Sequence, residues 1–354
     1  MNDYKLRRSS LTILCLILIG VSPPVLAWGE RGHDLITRVA VHNLAKISAN
    51  DAALVRPFQL RNHMLSHLSN VPDIVWRAPY MSKQDRQVND ATHYINLELV
   101  YPPDVSLAQL ERDYASFAEL ARSKGISPPE KAGTAPWRVV QLHGLMVENL
   151  KLAAGAEDRD EKVKLINRAL FYGGIMAHFV GDLANPHHTT ADYDGRSTGN
   201  GGLHAYFESD VIRHLPVSLE QSVSSRASAG LLAKTVLKGV AKEDREATLN
   251  DASKLVFALV AESFGQVPRL VKLDDKHSLL ERSDEENRRA KRKPVEKVAR
   301  RYQKFATERL AIGAATLSRL WMLAWEQAGK PDMSDFHSYS YPVRPEFVDP
   351  DYLN

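Results

Sequence analysis

Apolar residues recur every three or four positions through most of this chain. That spacing predicts helices over 33–47 ("HDLITRVAVHNLAKI"), 136–154, 161–184, 254–271 and 301–329. Alternating, β-branched runs flanked by hairpin turns are nearly absent, so the fold class reads as all-α. Polar, turn-forming stretches at 75–92, 125–135 and 186–202 are predicted as loops, the last holding "DYDGRSTGNGG". No repeat and no linker divides residues 28–330, which read as one multi-helix domain. Within it, the highly charged segment 272–300, interrupted by Pro294, is predicted as a mobile insertion or a long exposed helix. Residues 331–354, rich in Pro and Tyr, are predicted as an extended C-terminal tail.

The first 27 residues have a different character. Lys5, Arg7 and Arg8 precede the apolar run "LTILCLILIGV" and then "VLA", the pattern of a secretory signal cleaved after Ala27. The run is short for a membrane span, which needs about 20 apolar residues, and no later run approaches that length. An uncleaved anchor is the alternative to a secreted or periplasmic protein with no stable transmembrane anchor. Cleavage would remove Cys15, the sole cysteine, and so exclude disulfides from the mature chain. It would also lower the formal charge from +3 to about +1, which gives no blanket nucleic-acid signature. The bases are uneven, however, with "NRRAKRKPVEKVARRYQK" at 287–304. Such a run is usually a solvated helix face, but it could attract lipid headgroups or nucleic-acid phosphates.

The chemistry concentrates in "MAHFVGDLANPHHTT", residues 176–190. His178 and Asp182 are four apart and share a helix face, Asn185-Pro186 ends the helix, and His187 and His188 follow. A second pair of the same spacing, His204 and Glu208, follows a glycine turn. One such pair is usually a surface ion pair. Two pairs plus another histidine suggest a metal site built from nitrogen and oxygen donors, which zinc accepts when thiolates are absent. Trp28 would become the mature N-terminus, with His33 five residues on, and Asp73 and His93 add possible ligands from separate segments.

In that order these residues resemble the superfamily of zinc-dependent phospholipases C and zinc-dependent single-strand nucleases. The pattern is an N-terminal Trp, a His, an Asp, a His, His-x-x-x-Asp-x5-His and His-x-x-x-Asp/Glu. The chain supplies Trp28, His33, Asp73, His93, His178, Asp182, His188, His204 and Glu208. The resemblance implies a helical bundle around a cleft with three zinc ions, and the 301–329 helix resembles the family's last. It implies that Asp73, His93, His178 and Asp182 hold one zinc. Trp28, through its amine and carbonyl, would hold a second with His33 and a bridging Asp182. His188, His204 and Glu208 would hold the third, with family spacing favouring His188 over His187. Asp73 would orient the attacking water as the catalytic residue.

Substrate is less decided. Glu208 in the last ligand position, and the sequence around 177–195, resemble secreted bacterial phospholipases C, whereas the nucleases usually carry Asp there. The short Trp28-to-His33 spacing is nuclease-like. Nucleases also follow the first cleft histidine with an aromatic residue and, two positions on, an Asp that holds a base. Here these are Tyr94 and Asn96. Arg77 lies near the place of a phosphate-binding arginine, offset from it. These three residues are the substrate-binding candidates. The expected substrate is a phospholipid met at a membrane surface. Single-stranded nucleic acid is the alternative, and a non-catalytic helical zinc-binding protein the second alternative.

Overall fold

The computed structural model describes residues 28–48, 51–283, 288–342 and 345–353. The signal segment read at 1–27 lies outside the described residues. Helices dominate, and the only strands among the described residues are β1 (Leu279–Glu281) and β2 (Lys291–Arg292), which pair antiparallel. The chain is an all-α multi-helix domain with a continuous apolar core.

Eight helices set the frame: α1 (Gly29–Ile47), α2 (Asn62–Leu68), α3 (Lys83–Ala91), α4 (Ala135–Gly155), α5 (Arg159–Ala184), α6 (Ala252–Phe264), α7 (Val267–His277) and α8 (Val295–Gln327). Helix α5 begins where the Asp158 carboxylate accepts a hydrogen bond from the Glu161 amide at 2.7 Å, with Asp160 and Glu161 favourably placed in its first turn. From Gly173 to Ala184 every residue of α5 is buried, so this helix is the axle of the domain. It ends at Asn185 because Pro186 holds the preceding residue in an extended conformation. Helix α4 folds back on it, α1 and α8 cross it, and α2 meets it through Gly174. A Cβ added at Gly174 would lie 2.7 Å from Leu68 Cβ and 2.9 Å from its Cδ1, so only glycine permits that approach. At the adjacent residue, Trp321 of α8 donates its indole N–H to the Gly173 carbonyl at 3.1 Å. Buried Arg309 ties α8 to the far end of α5, donating from Nε to the Ala184 carbonyl (2.8 Å) and from Nη1 to Glu262 (2.5 Å).

Three expectations are corrected. Residues 75–92 contain α3, capped where Ser82 Oγ accepts from the Asp85 amide at 3.0 Å. Val88 is almost its sole apolar residue, so α3 leaves no hydrophobic period to read. The 254–271 helix is two, broken at Gly265–Gln266, because Pro268 lacks an amide proton and fits only the first turn of a new helix. Segment 272–300 is no single helix. Helix α7 ends at His277, the chain turns through the β1–β2 pair, and α8 starts after Pro294. No helix among the described residues is long and apolar enough to cross a membrane.

Beyond α8 the described tail runs extended along the helices. Met333 and Phe336 are buried, and Phe347 meets Trp76 edge-on with centroids 5.1 Å apart. Main-chain carbonyls of Ser338, Pro345 and Asp349 accept hydrogen bonds from Arg61, Trp76 and Gln141.

Two outcomes test this packing. Gly174→Ala is expected to destabilise the fold by about 1–3 kcal/mol through overpacking. Gly144→Ala, exposed and with open space around its Cβ, should stabilise by about 0.5–1 kcal/mol. Urea unfolding of both variants reads the contrast, and a shared sign would refute the close approach. The second outcome concerns His143 on α4, whose imidazole burial pushes down to about 4 against the opposing main chain of Leu320. A base with a depressed folded pKa stabilises fully above its unfolded value near 6.5, and that stability is lost as pH falls toward 4. Between pH 7 and pH 5 the loss should be about 2 kcal/mol smaller in His143→Leu than in the wild type. An unchanged difference would show that the ring titrates freely.

Candidate metal centre

The site forms where the end of α5 meets four other segments. His178 and Asp182 point from α5; His33 comes from the second turn of α1; Asp73 lies on the short helix Val71–Ile74; His93 follows α3. His188 sits in the tight turn Pro186–Thr189 that the Asn185-Pro186 break creates. His204 and Glu208 come from the Leu203–Ala205 turn and the wider π turn Tyr206–Val211, a distortion found mostly at functional sites. That last segment is entered through Gly202 at φ +85°, a left-handed conformation that glycine adopts without strain.

All eight side chains are buried. His178 Nε2 lies 3.3 Å from Asp182 Oδ2 and 3.8 Å from Asp73 Oδ1; His93 Nε2 is 3.3 Å from Asp73 Oδ1; His33 Nε2 is 3.5 Å from Asp182 Oδ1. On the other side His204 Nε2 is 2.8 Å from Glu208 Oε2, which is 3.5 Å from His188 Nε2. His188 also reaches to 3.9 Å from Asp182 Oδ1, joining the two halves.

Three triads could each hold a metal ion: His33, Asp73 and His178; His93, His178 and Asp182; His188, His204 and Glu208. The donor chemistry fits. His33 Nδ1 and Nε2, His93 Nε2, His178 Nε2, both Asp182 oxygens and Glu208 Oε1 are buried without a hydrogen bond. Three imidazoles have their tautomers fixed from behind. His93 Nδ1 donates to Asn89 O, His178 Nδ1 to Ser69 O and His188 Nδ1 to His93 O, each at 2.7 Å. This leaves Nε2 as a lone pair facing the cluster, the outer-shell arrangement of ligating histidines. Since His178 then offers one lone pair, it can serve only one ion. The carboxylates, with two oxygens each, must divide the first two triads.

Electrostatics point the same way. Burial raises the Asp73 pKa, but His178, Arg77 and His93 outweigh it and hold the carboxyl well below the usual range. Burial likewise opposes ionisation of Asp182, and His178 and His188 prevail. Burial depresses His188, yet Asp182 and Glu208 push it up to about 9. The cluster thus keeps its carboxylates charged, as metal binding requires, while His188 holds a proton that it would release on taking up an ion.

Trp28 has no exposed surface and sits in the left-handed region at φ 41°, where a bulky residue is rare. Its indole N–H donates to the Gly181 carbonyl at 2.6 Å, and its main-chain nitrogen donates to Glu208 Oε2 at 3.1 Å. The structure therefore sets the Trp28 nitrogen against the third triad's carboxylate, while His33, its expected co-ligand, contacts Asp182. Asn185 Nδ2 also donates to Glu208 Oε2, at 3.0 Å.

A pocket of about 420 Å³ opens on the cluster, lined by His93, His188 and His204 together with Arg77, Tyr94 and Asn96. Arg77 is held by Asp73 Oδ1 at 2.5 Å and Asp90 Oδ1 at 2.9 Å. His187 also lines the pocket but belongs to no triad. Asp90 and Tyr193 line it too, and the sequence reading missed both. Asp90 sits on α3, which was taken for loop, and Tyr193 lies in a turn with no period. No family model, curated protein or solved structure matches the chain.

The sharing of Asp182 has a consequence for metal content. Asp182→Asn, which replaces the carboxylate whose oxygens face His33 at 3.5 Å and His178 at 3.3 Å, is expected to lower divalent metal at the sites those two imidazoles serve, and His204→Ala only at the third triad, in elemental analysis after gel filtration. Equal losses in the two variants would contradict the sharing.

Proposed function

We propose that the protein is a zinc-dependent phosphodiester hydrolase, and that its substrate is a phospholipid cleaved in the manner of a phospholipase C. The observation that carries this reading is the buried array of imidazoles and carboxylates, open on one side to a pocket containing Arg77. Its ordered ligand pattern resembles the zinc-dependent phospholipase C and nuclease superfamily. The donors are nitrogen and oxygen throughout, a set that suits zinc.

Asp73, His93, His178 and Asp182 would hold one ion; His33 and Asp182, with the Trp28 amine freed by cleavage after Ala27, a second; His188, His204 and Glu208 the third. Zinc there supplies Lewis acidity toward phosphoryl oxygens and lowers the pKa of coordinated water to about 7. The protein's own groups do the rest. Arg77, braced by Asp73 and Asp90, places a fixed positive charge at the pocket wall, where an anionic phosphodiester is neutralised. Asp73 orients the attacking water, whose proton passes on to the departing alkoxide. Water adds to phosphorus, the glycerol-side P–O bond breaks, and the departing alkoxide takes a proton to become diacylglycerol, leaving a phosphorylated headgroup. Tyr94 and Asn96 contact the organic part of the substrate. Export through the 1–27 signal would place the enzyme outside the cytoplasm or in the periplasm, where such lipids are met.

A nuclease reading draws on one observation, the aromatic Tyr94 and the amide Asn96 side by side on the pocket wall, as a base would require.

Protein beginning at Trp28 and loaded with zinc is expected to release diacylglycerol from phosphatidylcholine. Arg77→Ala should lower kcat/KM by about 10²-fold. Cleavage of single-stranded DNA without action on the lipid would transfer the assignment to the nuclease. Action on neither would leave a non-catalytic zinc-binding protein.

A further inference from the structure

The basic run at 287–304 divides in two on folding. One part turns inward. The Arg289 side chain covers Gly202, and Arg292 is engaged by Asp274 (2.9 Å) and by the carbonyls of Asn200 (2.5 Å) and Gly201 (2.9 Å). Arg282, just before the run, is likewise engaged by Asp275 at 2.9 Å.

The other part faces outward. Lys276 and His277 at the end of α7, with Lys293, Lys297 and Arg301 around the start of α8, enclose a cleft of about 520 Å³ against Val298. Among the described residues no carboxylate lines it. Lys293 Nζ donates to the His277 carbonyl at 3.1 Å, and two acids on α7, Asp274 and Asp275, are already engaged by Arg292 and Arg282. Glu296, beside Lys297 on α8, is not among the residues lining the cleft. The His277 imidazole is held below its ordinary value, by burial first and then by Lys276, Arg301 and Lys293. Like charges gathered in one concavity repel each other and focus the field on a counter-ion.

We propose that this cleft binds a phosphate-bearing anion, the headgroup of an anionic phospholipid, at a place separate from the metal pocket. The cations offer several N–H donors to the oxygens of one phosphate. The volume leaves room for the atoms attached to it. The choice of a lipid as source rests on the phospholipase reading. The cleft would then tether the enzyme to the surface that carries its substrate, each basic residue adding about fivefold to binding.

The test uses zinc-loaded protein and compares it with the triple variant Lys276→Gln, Lys297→Gln, Arg301→Gln, none of which touches the metal pocket. Cosedimentation is measured with phosphatidylcholine vesicles, with and without about one third phosphatidylglycerol. The wild type is expected to favour the anionic vesicles, and the triple variant to lose about 100-fold in affinity for them. Inorganic phosphate should displace the wild type better than chloride at equal ionic strength. No preference for anionic vesicles, an undiminished triple variant, or equal displacement by the two salts would each overturn the proposal. Hydrolysis of a soluble short-chain phosphodiester, equal in both proteins, reports the catalytic reading separately. Its failure leaves the vesicle result standing.

Discussion

Asp182 is an ionised carboxylate with no exposed surface and no hydrogen bond, and the architecture is arranged around that fact. Desolvating such a group costs several kcal/mol unless opposite charge surrounds it. Helix α5 can bury it because His178 and His188, both held above their ordinary values, face it from α5 itself and the turn after Pro186, while His33, kept neutral by burial, closes it off from α1. Asp73 and Glu208 repeat the arrangement on either side. Segments from Gly29 to Val211 are thereby bound to one point, and the apolar crossing of α1, α4 and α8 over α5 holds that point in register. Metal ions in the triads would supply the same countercharge in denser form. Site and core are thus one problem of solvation.

Much of this could be read from the sequence. The i and i+4 pairs depend only on helical geometry, so His178 with Asp182 and His204 with Glu208 needed no tertiary information. Four of the five long periodic segments likewise declared their helices, because a buried stripe leaves its mark in the spacing of apolar residues; the fifth, 254–271, hid a break at Gly265–Gln266. What escaped had no such mark. Helix α3 is polar nearly throughout and rests on its Ser82 cap, so Asp90 was invisible as a pocket residue. The carbonyls of Ser69, Asn89 and His93 fix three imidazole tautomers, and a main-chain acceptor carries no side-chain signal. The grouping of Trp28 also exceeded the sequence, since order along a chain does not say which carboxylate a nitrogen faces.

The charged segment shows how one composition can do two things. From 272 to 301 the sequence reads as highly charged, with its bases gathered toward the end. On folding, Arg282 and Arg292 turn to acceptors on the glycine-rich turn and α7, whereas Lys276, Lys293, Lys297 and Arg301 line the outer cleft. Asp274, fully buried, accepts Arg292, Asn200 and Tyr302 at once, and so fastens the glycine-rich turn 195–202 to α7 and α8. That turn leads directly into His204. Arginine's planar fork suits the inward task, where several acceptors must be met in fixed geometry. Lysine's compact charge suits the outward one.

The N-terminal end of the site adds a dependence that runs the opposite way, from chemistry back to processing. As a peptide amide, the Trp28 nitrogen has its lone pair delocalised into the preceding carbonyl, so it can donate to Glu208 but cannot ligate a metal. As a free amine the same atom becomes a ligand, and its position beside buried carboxylates would favour binding. Glu208 would then exchange a hydrogen-bond donor for a shared cation. Meanwhile the indole of Trp28, anchored on Gly181 and packed over Gly32, keeps the first turn of α1 in place in either state. The left-handed backbone at Trp28 and Gly29 belongs to this arrangement. It accompanies the turn that sets the Trp28 nitrogen against Glu208.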